Sequence, residues 1–259
     1  MMNGKRSYED ACAASHALDL VGERWALLVA RELILGPKRF SDLRAGLPGI
    51  SPNVLTQRLQ ELEQASVLRR RQLAPPSAAW VYELTEWGHG LESVIIALGR
   101  WGVRSPQLPM GPAISVDGLI LSFRSMFDPK QATGFKAGLE FHFGSDVFHA
   151  EVSGPRFAIA RGAARGPDAR IEADPNLLAG LVYGGADLAE TIRAGALRLL
   201  GDKAAFKRFL TLFPLPERAP ALPVPAQAGF SADASPPRQE TNIYKDLRKK
   251  SGAGQARTG

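Results

Sequence analysis

The 259-residue sequence has few of the features that mark secreted or membrane proteins. Its one cysteine, Cys12, excludes an intrachain disulfide and fits a reducing compartment. Acidic residues interrupt what would be the apolar part of an N-terminal signal peptide, and no apolar run approaches the length that spans a bilayer. We therefore expect a cytoplasmic protein without membrane insertion.

Catalytic and metal-binding patterns are also missing. His142 and His149 alternate with apolar residues on predicted strands and have no nucleophile motif beside them, and GHGLES lacks the third glycine of a dinucleotide loop. Cys12 and His16 share a helix face, but two ligands do not make a zinc site. We therefore predict that the protein is not an enzyme and holds no cofactor or metal.

Positive charge is concentrated in one part of the sequence. The formal net charge is +6, and the stretch 38–71 holds seven basic residues against three acidic ones. A surface that faces phosphates has this composition. The charge allows a nucleic-acid partner without requiring one.

The segment SPNVLTQRLQELEQASVLRRR, residues 51–71, predicts a capped helix followed by a strand. Ser51 is a favoured N-cap and Pro52 suits the first turn, while leucines recur at 55, 59 and 62. The opposite side carries Asn53, Thr56, Gln57, Gln60 and Gln64. Amides and hydroxyls of this kind can pair with base edges or phosphate oxygens.

The elements around this helix predict a winged helix-turn-helix. Helices are expected through Leu18 and Val21, from Trp25 to Leu35 and through Leu43, before the helix at Ser51. The segments VLRRRQLA and AWVYELT predict a hairpin, and an amphipathic helix follows to about residue 101. That order is typical of a DNA-binding domain with a wing.

Residues 10–104 closely resemble the HxlR-type winged-helix transcription regulators. The resemblance is carried by the stretch 22–25, by RELILGPKRFSDL, by LPGIS with its following helix, and by YELTEWG. It implies a homodimer, formed by helices outside the recognition element, on a pseudo-palindromic operator of double-stranded DNA.

We predict which side chains approach the DNA. Ser51, Asn53, Thr56 and Gln57 should face the major groove. Arg58 lies beside the apolar stripe, and either reaches a phosphate or pairs with Glu61. The backbone-contact candidates are Lys38, Arg39, Arg69 and Arg71, whereas strand alternation sends Arg70 to the opposite face.

Cys12 leaves two interpretations open. Some members of the resembled family carry an oxidant-responsive cysteine near the N-terminus, and Cys12 matches that place. The other interpretation is a packed, inert cysteine, because reactivity requires a thiolate and access.

The second half has a different pattern. A Pro-rich linker at 106–113 precedes a helix in SVDGLILSFRSMF and four short strands, GLEFHFG, DVFHAEVSG, RFAIARG and ARIEADP, which we expect to form an antiparallel meander. Helices follow at 177–182, 188–194 and 203–212, with a short strand at 196–200. The Pro/Ala-rich tail, 217–259, is predicted to be disordered.

Residues 114–214 resemble a sterol carrier (SCP2-type) domain, on RIEADPNLLAGLVYG and AETIRAGALRLLGDKAAFKRFLTLF. The resemblance implies a bound lipid or other apolar molecule. The ligand-lining candidates, which could equally be core, are Phe123, Phe127, Leu178, Leu181, Val182, Ile192, Phe206 and Phe209.

The expected fold class is α+β. It consists of a winged helix-turn-helix DNA-binding and dimerisation domain at 1–105 and an SCP2-like α+β domain with a mainly antiparallel sheet at 114–216. The function we expect is sequence-specific transcription regulation under the control of an apolar molecule. The alternatives are a lipid carrier or sequestering protein with a vestigial DNA-binding domain, and a second domain that serves only for dimerisation or packing.

Overall fold

The computed structural model of the chain describes residues 7–109 and 113–221. We term residues 7–105 the winged-helix region. Its helices are α1 (Ala13–Val21), α2 (Ala26–Leu33), α3 (Phe40–Gly46), α4 (Pro52–Gln64), α5 (Glu86–His89) and α6 (Leu91–Gly102), and its strands are β1 (Leu68–Gln72) and β2 (Trp80–Leu84). This order confirms the predicted winged helix-turn-helix.

Helix α4 begins where the sequence predicts because Ser51 caps it. The Ser51 hydroxyl accepts a hydrogen bond from the Val54 N–H at 3.3 Å, and Pro52 occupies the first turn, where no backbone donor is needed. The buried side of the helix consists of Leu55, Leu59 and Leu62 together with Arg58. This side packs on α1 and α2, so the polar side of α4 is left facing outward.

The wing is the antiparallel pair of β1 and β2, in which Leu68 stands opposite Leu84. Lys38 extends it by a short bridge. Its N–H donates to the Tyr82 carbonyl at 3.0 Å, and its carbonyl accepts from the Tyr82 N–H at 2.8 Å. The segment that leads into α3 is therefore fixed to the wing.

We term residues 113–221 the C-terminal region. Its helices are α7 (Val116–Met126), α8 (Pro175–Tyr183), α9 (Leu188–Arg193) and α10 (Lys203–Phe209), and its strands are β3 (Lys136–Phe143), β4 (Asp146–Ser153), β5 (Arg156–Arg161), β6 (Ala169–Ala173) and β7 (Leu197–Gly201). The result is an α+β fold with a mixed sheet, in the order β5-β4-β3-β6-β7.

The position of β6 corrects the predicted meander. Strands β3, β4 and β5 pair antiparallel in sequence order, but β6 crosses back and lies parallel to β3, and β7 then pairs antiparallel with β6. The parallel register sets Ala169 beside Leu139 and Ile171 beside Phe141, which aligns the buried side chains of both strands on one face. Turn residues indicate where a strand ends but not which sheet edge the next strand joins.

Helices α7 and α10 cover the buried face of this sheet with aromatic side chains. The ring of Phe123 on α7 lies 4.7 Å from that of Phe213 and 5.7 Å from that of Phe209. The Phe209 ring in turn lies 5.3 Å from that of Phe141 on β3. These stacked, edge-on and tilted contacts stabilise the core beyond the area that they bury.

The two regions touch through α7, which packs on α6 and on α2. The Arg100 guanidinium donates from Nε to the Ser125 carbonyl at 2.6 Å, and Arg124 Nη1 lies 2.5 Å from Glu92 Oε1. The proposed linker is only partly covered, since residues 110–112 lie outside the described residues, as does the predicted disordered tail from 222 onward. Within the described ranges, no helix is long and apolar enough to cross a bilayer.

Candidate nucleic-acid interface

The exposed side of α4 brings four of the predicted contact residues together. Ser51, Asn53, Thr56 and Gln57 are all exposed on the first two turns. The Thr56 hydroxyl donates to the Pro52 carbonyl at 2.9 Å, and the Gln57 amide donates to Glu61 Oε1 at 3.0 Å. These local bonds fix the side chains on a helix end whose orphan N–H groups also favour anions.

The wing carries two further predicted residues on one of its faces. Arg69 Nε donates to Glu83 Oε1 at 2.8 Å, and Arg71 Nε donates to Glu83 Oε2 at 2.6 Å. Partial burial acts to raise the pKa of Glu83, but the hydrogen bonds from Arg71 and Arg69 hold it below its usual range. One carboxylate therefore offsets part of the charge of two arginines.

Arg70 points to the opposite face of the wing, as strand alternation predicts. Its guanidinium lies 4.5 Å from the centroid of the exposed Trp80 ring. Arg39 is also exposed and donates from Nη2 to the Ser77 hydroxyl at 3.0 Å. It thereby links the start of α3 to the loop of the wing.

Arg58 and Lys38 do not lie on this surface, and a phosphate contact of Lys38 stays a prediction. Lys38 Nζ lies 2.7 Å from Glu32 Oε2 and 2.6 Å from Asp117 Oδ2. Of the two alternatives for Arg58, the structure has the pair with Glu61: Nη1 lies 2.5 Å from Glu61 Oε2. Arg58 occupies the buried stripe of α4, and its Nε and Nη1 make no well-aligned hydrogen bond within the described residues.

Cys12 is an exposed free thiol at the N-cap of α1, so the interpretation of a packed cysteine is wrong. Backbone N–H groups of Ala14 and Ser15 hold the pKa of Cys12 below its usual value, which favours the thiolate. In the described part of the chain, no cluster of three or more metal-ligating side chains includes Cys12 and His16.

The eight predicted ligand-lining residues lie in the core of the C-terminal region. Phe123, Phe206, Phe209 and Leu178 are fully buried, Leu181 is nearly so, and the other three are half-buried. Concave surfaces of this region have other linings: one of about 650 Å³ includes Phe143, Glu172 and Arg198. A role of the eight residues in ligand binding stays a prediction.

Sequence reasoning missed two buried acids, Glu32 and Asp117. Glu32 lies three residues after Val29 on the buried side of α2, and Asp117 lies four residues before Leu121 on the buried side of α7. A carboxylate within an apolar stripe signals a buried partner, because an unpaired charge would be too costly there. The sequence does not show which partner that is.

Helices α3 and α4 form a helix-turn-helix in which α4 has an exposed polar face, and the basic hairpin of β1 and β2 follows. These features together define a winged-helix DNA-binding protein. The HxlR-like helix-turn-helix family matches residues 20–107. The chain belongs to this family.

The relatives are transcription regulators. The uncharacterized HTH-type transcriptional regulator YvaP of Bacillus subtilis is 34% identical over 85 residues, which are 33% of this chain and 79% of YvaP. The HTH-type transcriptional regulator YodB of the same organism is 38% identical over 85 residues, 33% of this chain and 76% of YodB. The structure of reduced YodB aligns at 33% identity over 39% of this chain and 99% of that chain, with a TM-score of 0.35.

Proposed function

We propose that this chain is a sequence-specific transcription regulator that binds a pseudo-palindromic operator in double-stranded DNA. The observation that carries the proposal is the exposed face of the first two turns of α4, which presents hydroxyls and amides and no lysine or glutamate. Asn53 and Gln57 are assigned to base edges, since such amides pair with adenine in the major groove. Ser51, Thr56, Arg39, Arg69 and Arg71 are assigned to nearby bases and phosphates.

A homodimer is part of this proposal. Its support is an exposed apolar surface on α6, where Val94, Leu98 and Trp101 face solvent, with Trp101 75% exposed, and Leu18 on α1 is exposed as well. Large apolar side chains in one patch mark a protein-protein contact. A two-fold dimer would carry one α4 to each half-site about one helical turn apart.

Fluorescence anisotropy tests the DNA function. The purified chain is titrated against duplex from upstream of its own gene and against scrambled duplex, over a salt series. We expect a preference of roughly 10³ or more and a steep negative salt slope. Asn53→Ala and Gln57→Ala should each weaken operator binding, whereas Gln64→Ala, an exposed amide at the far end of α4, is the matched control. Equal binding to both duplexes, with no site recovered by genome-wide selection, would contradict the proposal.

We propose further that the C-terminal region, as an SCP2-like domain, binds an apolar molecule that changes DNA affinity. The support is its buried phenylalanine and leucine side chains around α7, α8 and α10. Such an effector must bind the two states of the protein unequally. The test is operator affinity of delipidated protein with and without a long-chain fatty acid. A shift of about fivefold or more is expected; lipid carried by a protein that ignores DNA would favour the carrier function instead.

The proposal places the protein in the cytoplasm and gives it no catalytic step. Cys12 is proposed as an oxidant-responsive thiol, on the observation that it is exposed and that its pKa is lowered. Peroxide treatment should change operator affinity in the native chain but not in Cys12→Ser. An equal response of both proteins would remove Cys12 from the mechanism.

A further inference from the structure

A continuous row of alternating charges joins the winged-helix region to the C-terminal region. We term it the ion chain, and its members are Arg31, Glu32, Lys38, Asp117, Arg161 and Asp146. The first three belong to α2 and the turn before α3. The others belong to α7 and to strands β5 and β4.

The centre of the ion chain is the Lys38 ammonium, which lies between two carboxylates. Glu32 Oε2 is 2.7 Å away within the same region, and Asp117 Oδ2 is 2.6 Å away across the boundary. The side chains of Glu32 and Asp117 are 0% and 2% exposed, and that of Lys38 is 13% exposed. Salt screens such buried pairs far less than it screens pairs at the surface.

Each region also keeps a pair of its own. Glu32 accepts from Arg31 Nη2 at 2.8 Å as well as from Lys38, and Arg161 contacts Asp146 as well as Asp117. Burial raises the pKa of Asp117, while the charge of Lys38 opposes that rise. Neutralising Asp117 would therefore remove its ionic link to Lys38 and leave intact both internal pairs and the Arg124–Glu92 pair across the boundary.

The backbone of Lys38 connects it directly to the DNA-binding elements. Its backbone is bonded twice to Tyr82 in the wing, and the next residue, Arg39, is the N-cap of α3. The carboxylate of Glu32 also lies directly under Gly46, the last residue of α3. The Lys38 side chain thus connects Asp117 to both the wing and the helix-turn-helix.

We propose that Asp117 is a positioning residue for DNA binding: through Lys38 it holds the wing and α3 in place, so that the C-terminal region acts on operator affinity by this contact. The inference rests on the proposed DNA-binding function for its second test but not for its first. A change in the C-terminal region would reach the DNA-binding surface through the contact between Asp117 and Lys38.

The first test is hydrogen exchange in the full chain without DNA. In Asp117→Asn the amides of Lys38 and Tyr82 should exchange about tenfold faster than in the native chain, because their mutual bonds open locally. Asp146→Asn, the same substitution at the end of the ion chain, is the control and should leave both amides unchanged. Unchanged protection in Asp117→Asn would overturn the proposal.

A second variant covers the case in which Asp117→Asn unfolds. Lys38→Gln breaks the same contact from the other side, while Glu32 keeps Arg31 and Asp117 keeps Arg161. Faster exchange of the Tyr82 amide in this variant supports the proposal, and native protection overturns it.

The second test is a double-mutant cycle on operator affinity. Asp117→Asn should weaken binding by roughly 2- to 30-fold. If the effect passes through Lys38, Asp117→Asn should cause no further loss in the Lys38→Gln background. Additive losses would overturn the route through Lys38. A changed exchange pattern in a chain that binds no operator would instead reject the proposed function and retain the positioning role.

Discussion

The arginines of the wing and the charged residues at the centre of the ion chain have opposite surroundings. On the wing, Arg69 and Arg71 are 66% and 41% exposed and share the carboxylate of Glu83. In the ion chain, Glu32 and Asp117 are out of contact with water and share the ammonium of Lys38. The exposed arginines of the wing can exchange Glu83 for a phosphate. The buried pairs of Lys38 with Glu32 and Asp117 form when the protein folds and do not exchange partners in this way.

The largest expected difference concerns stability. Glu32→Gln should lower the free energy of unfolding by about 3 kcal/mol, because it leaves a buried ammonium without one of its counter-charges. Glu83→Gln, the matched change on the wing, should cost less than about 1 kcal/mol. Urea denaturation followed by tryptophan fluorescence measures both. Equal losses of unfolding free energy in Glu32→Gln and Glu83→Gln would contradict the expected difference between the ion chain and the wing.

A substitution next to Glu32 sharpens the same comparison. A Cβ added at Gly46 would stand 2.3 Å from Glu32 Oε2, and this carboxylate is held by Arg31, Lys38 and Ser115. Gly46→Ala should therefore destabilise the chain by roughly 1–3 kcal/mol.

The control for Gly46→Ala is Gly180→Ala. A Cβ at Gly180 on α8 meets only ordinary van der Waals contact with Ala186, at 3.9 Å. Gly180→Ala should be neutral or stabilising by up to about 1 kcal/mol, since alanine favours a helix. Comparable losses in thermal unfolding of both variants would mean that the Glu32 carboxylate moves aside without cost.

A smaller effect distinguishes the wing charges from the ion chain by the salt dependence of operator affinity. Arg69→Ala should reduce the slope of operator affinity against salt concentration by about 1, because one phosphate contact is lost. Lys38→Gln should weaken binding with no change of slope, since its ammonium meets carboxylates and not DNA. Anisotropy titrations at several salt concentrations decide this, and a reduced slope in Lys38→Gln would return Lys38 to the phosphate contacts.

The smallest effect concerns an exposed thiol outside both groups. Backbone N–H groups hold the pKa of Cys12 below its usual value, so its reactivity should rise at a lower pH than that of an ordinary cysteine. The rate of alkylation against pH measures this, with the urea-unfolded chain as control. Because the sequence contains one cysteine, all label reports on Cys12. Identical curves for folded and unfolded chain would contradict the prediction.

Local patterns predicted the winged-helix region well. Ser51 and Pro52 predict where α4 begins, and its leucine repeat predicts which side is buried. Strand alternation predicts that Arg70 lies on the opposite face of the wing from Arg69 and Arg71. Each of these features depends on residues near one another in sequence. They located both the exposed face of α4 and the wing.

Local sequence patterns do not predict contacts between residues that are distant in the sequence. The sequence marks Lys38 as a candidate for phosphate contact but gives no sign of its partner Asp117, 79 positions away. Strand β6 looks like the next strand of a meander until it pairs with β3. The helical angle of Arg58 gives the direction of its side chain but does not identify its partner, which in the structure is Glu61. For Lys38 and for β6, the decisive contact joins segments that are distant in the sequence.

The carboxylate of Glu83 has a consequence for how the wing meets DNA. Its arginines already have an anion, so contact with the duplex is a replacement of one anion by another, and each arginine adds less attraction than its charge suggests. Under the proposed function, Glu83 competes with phosphate for these two arginines, which would lower affinity for non-specific DNA and leave discrimination to α4. If the wing contacts DNA as proposed, a chain without Glu83 would bind any duplex more tightly.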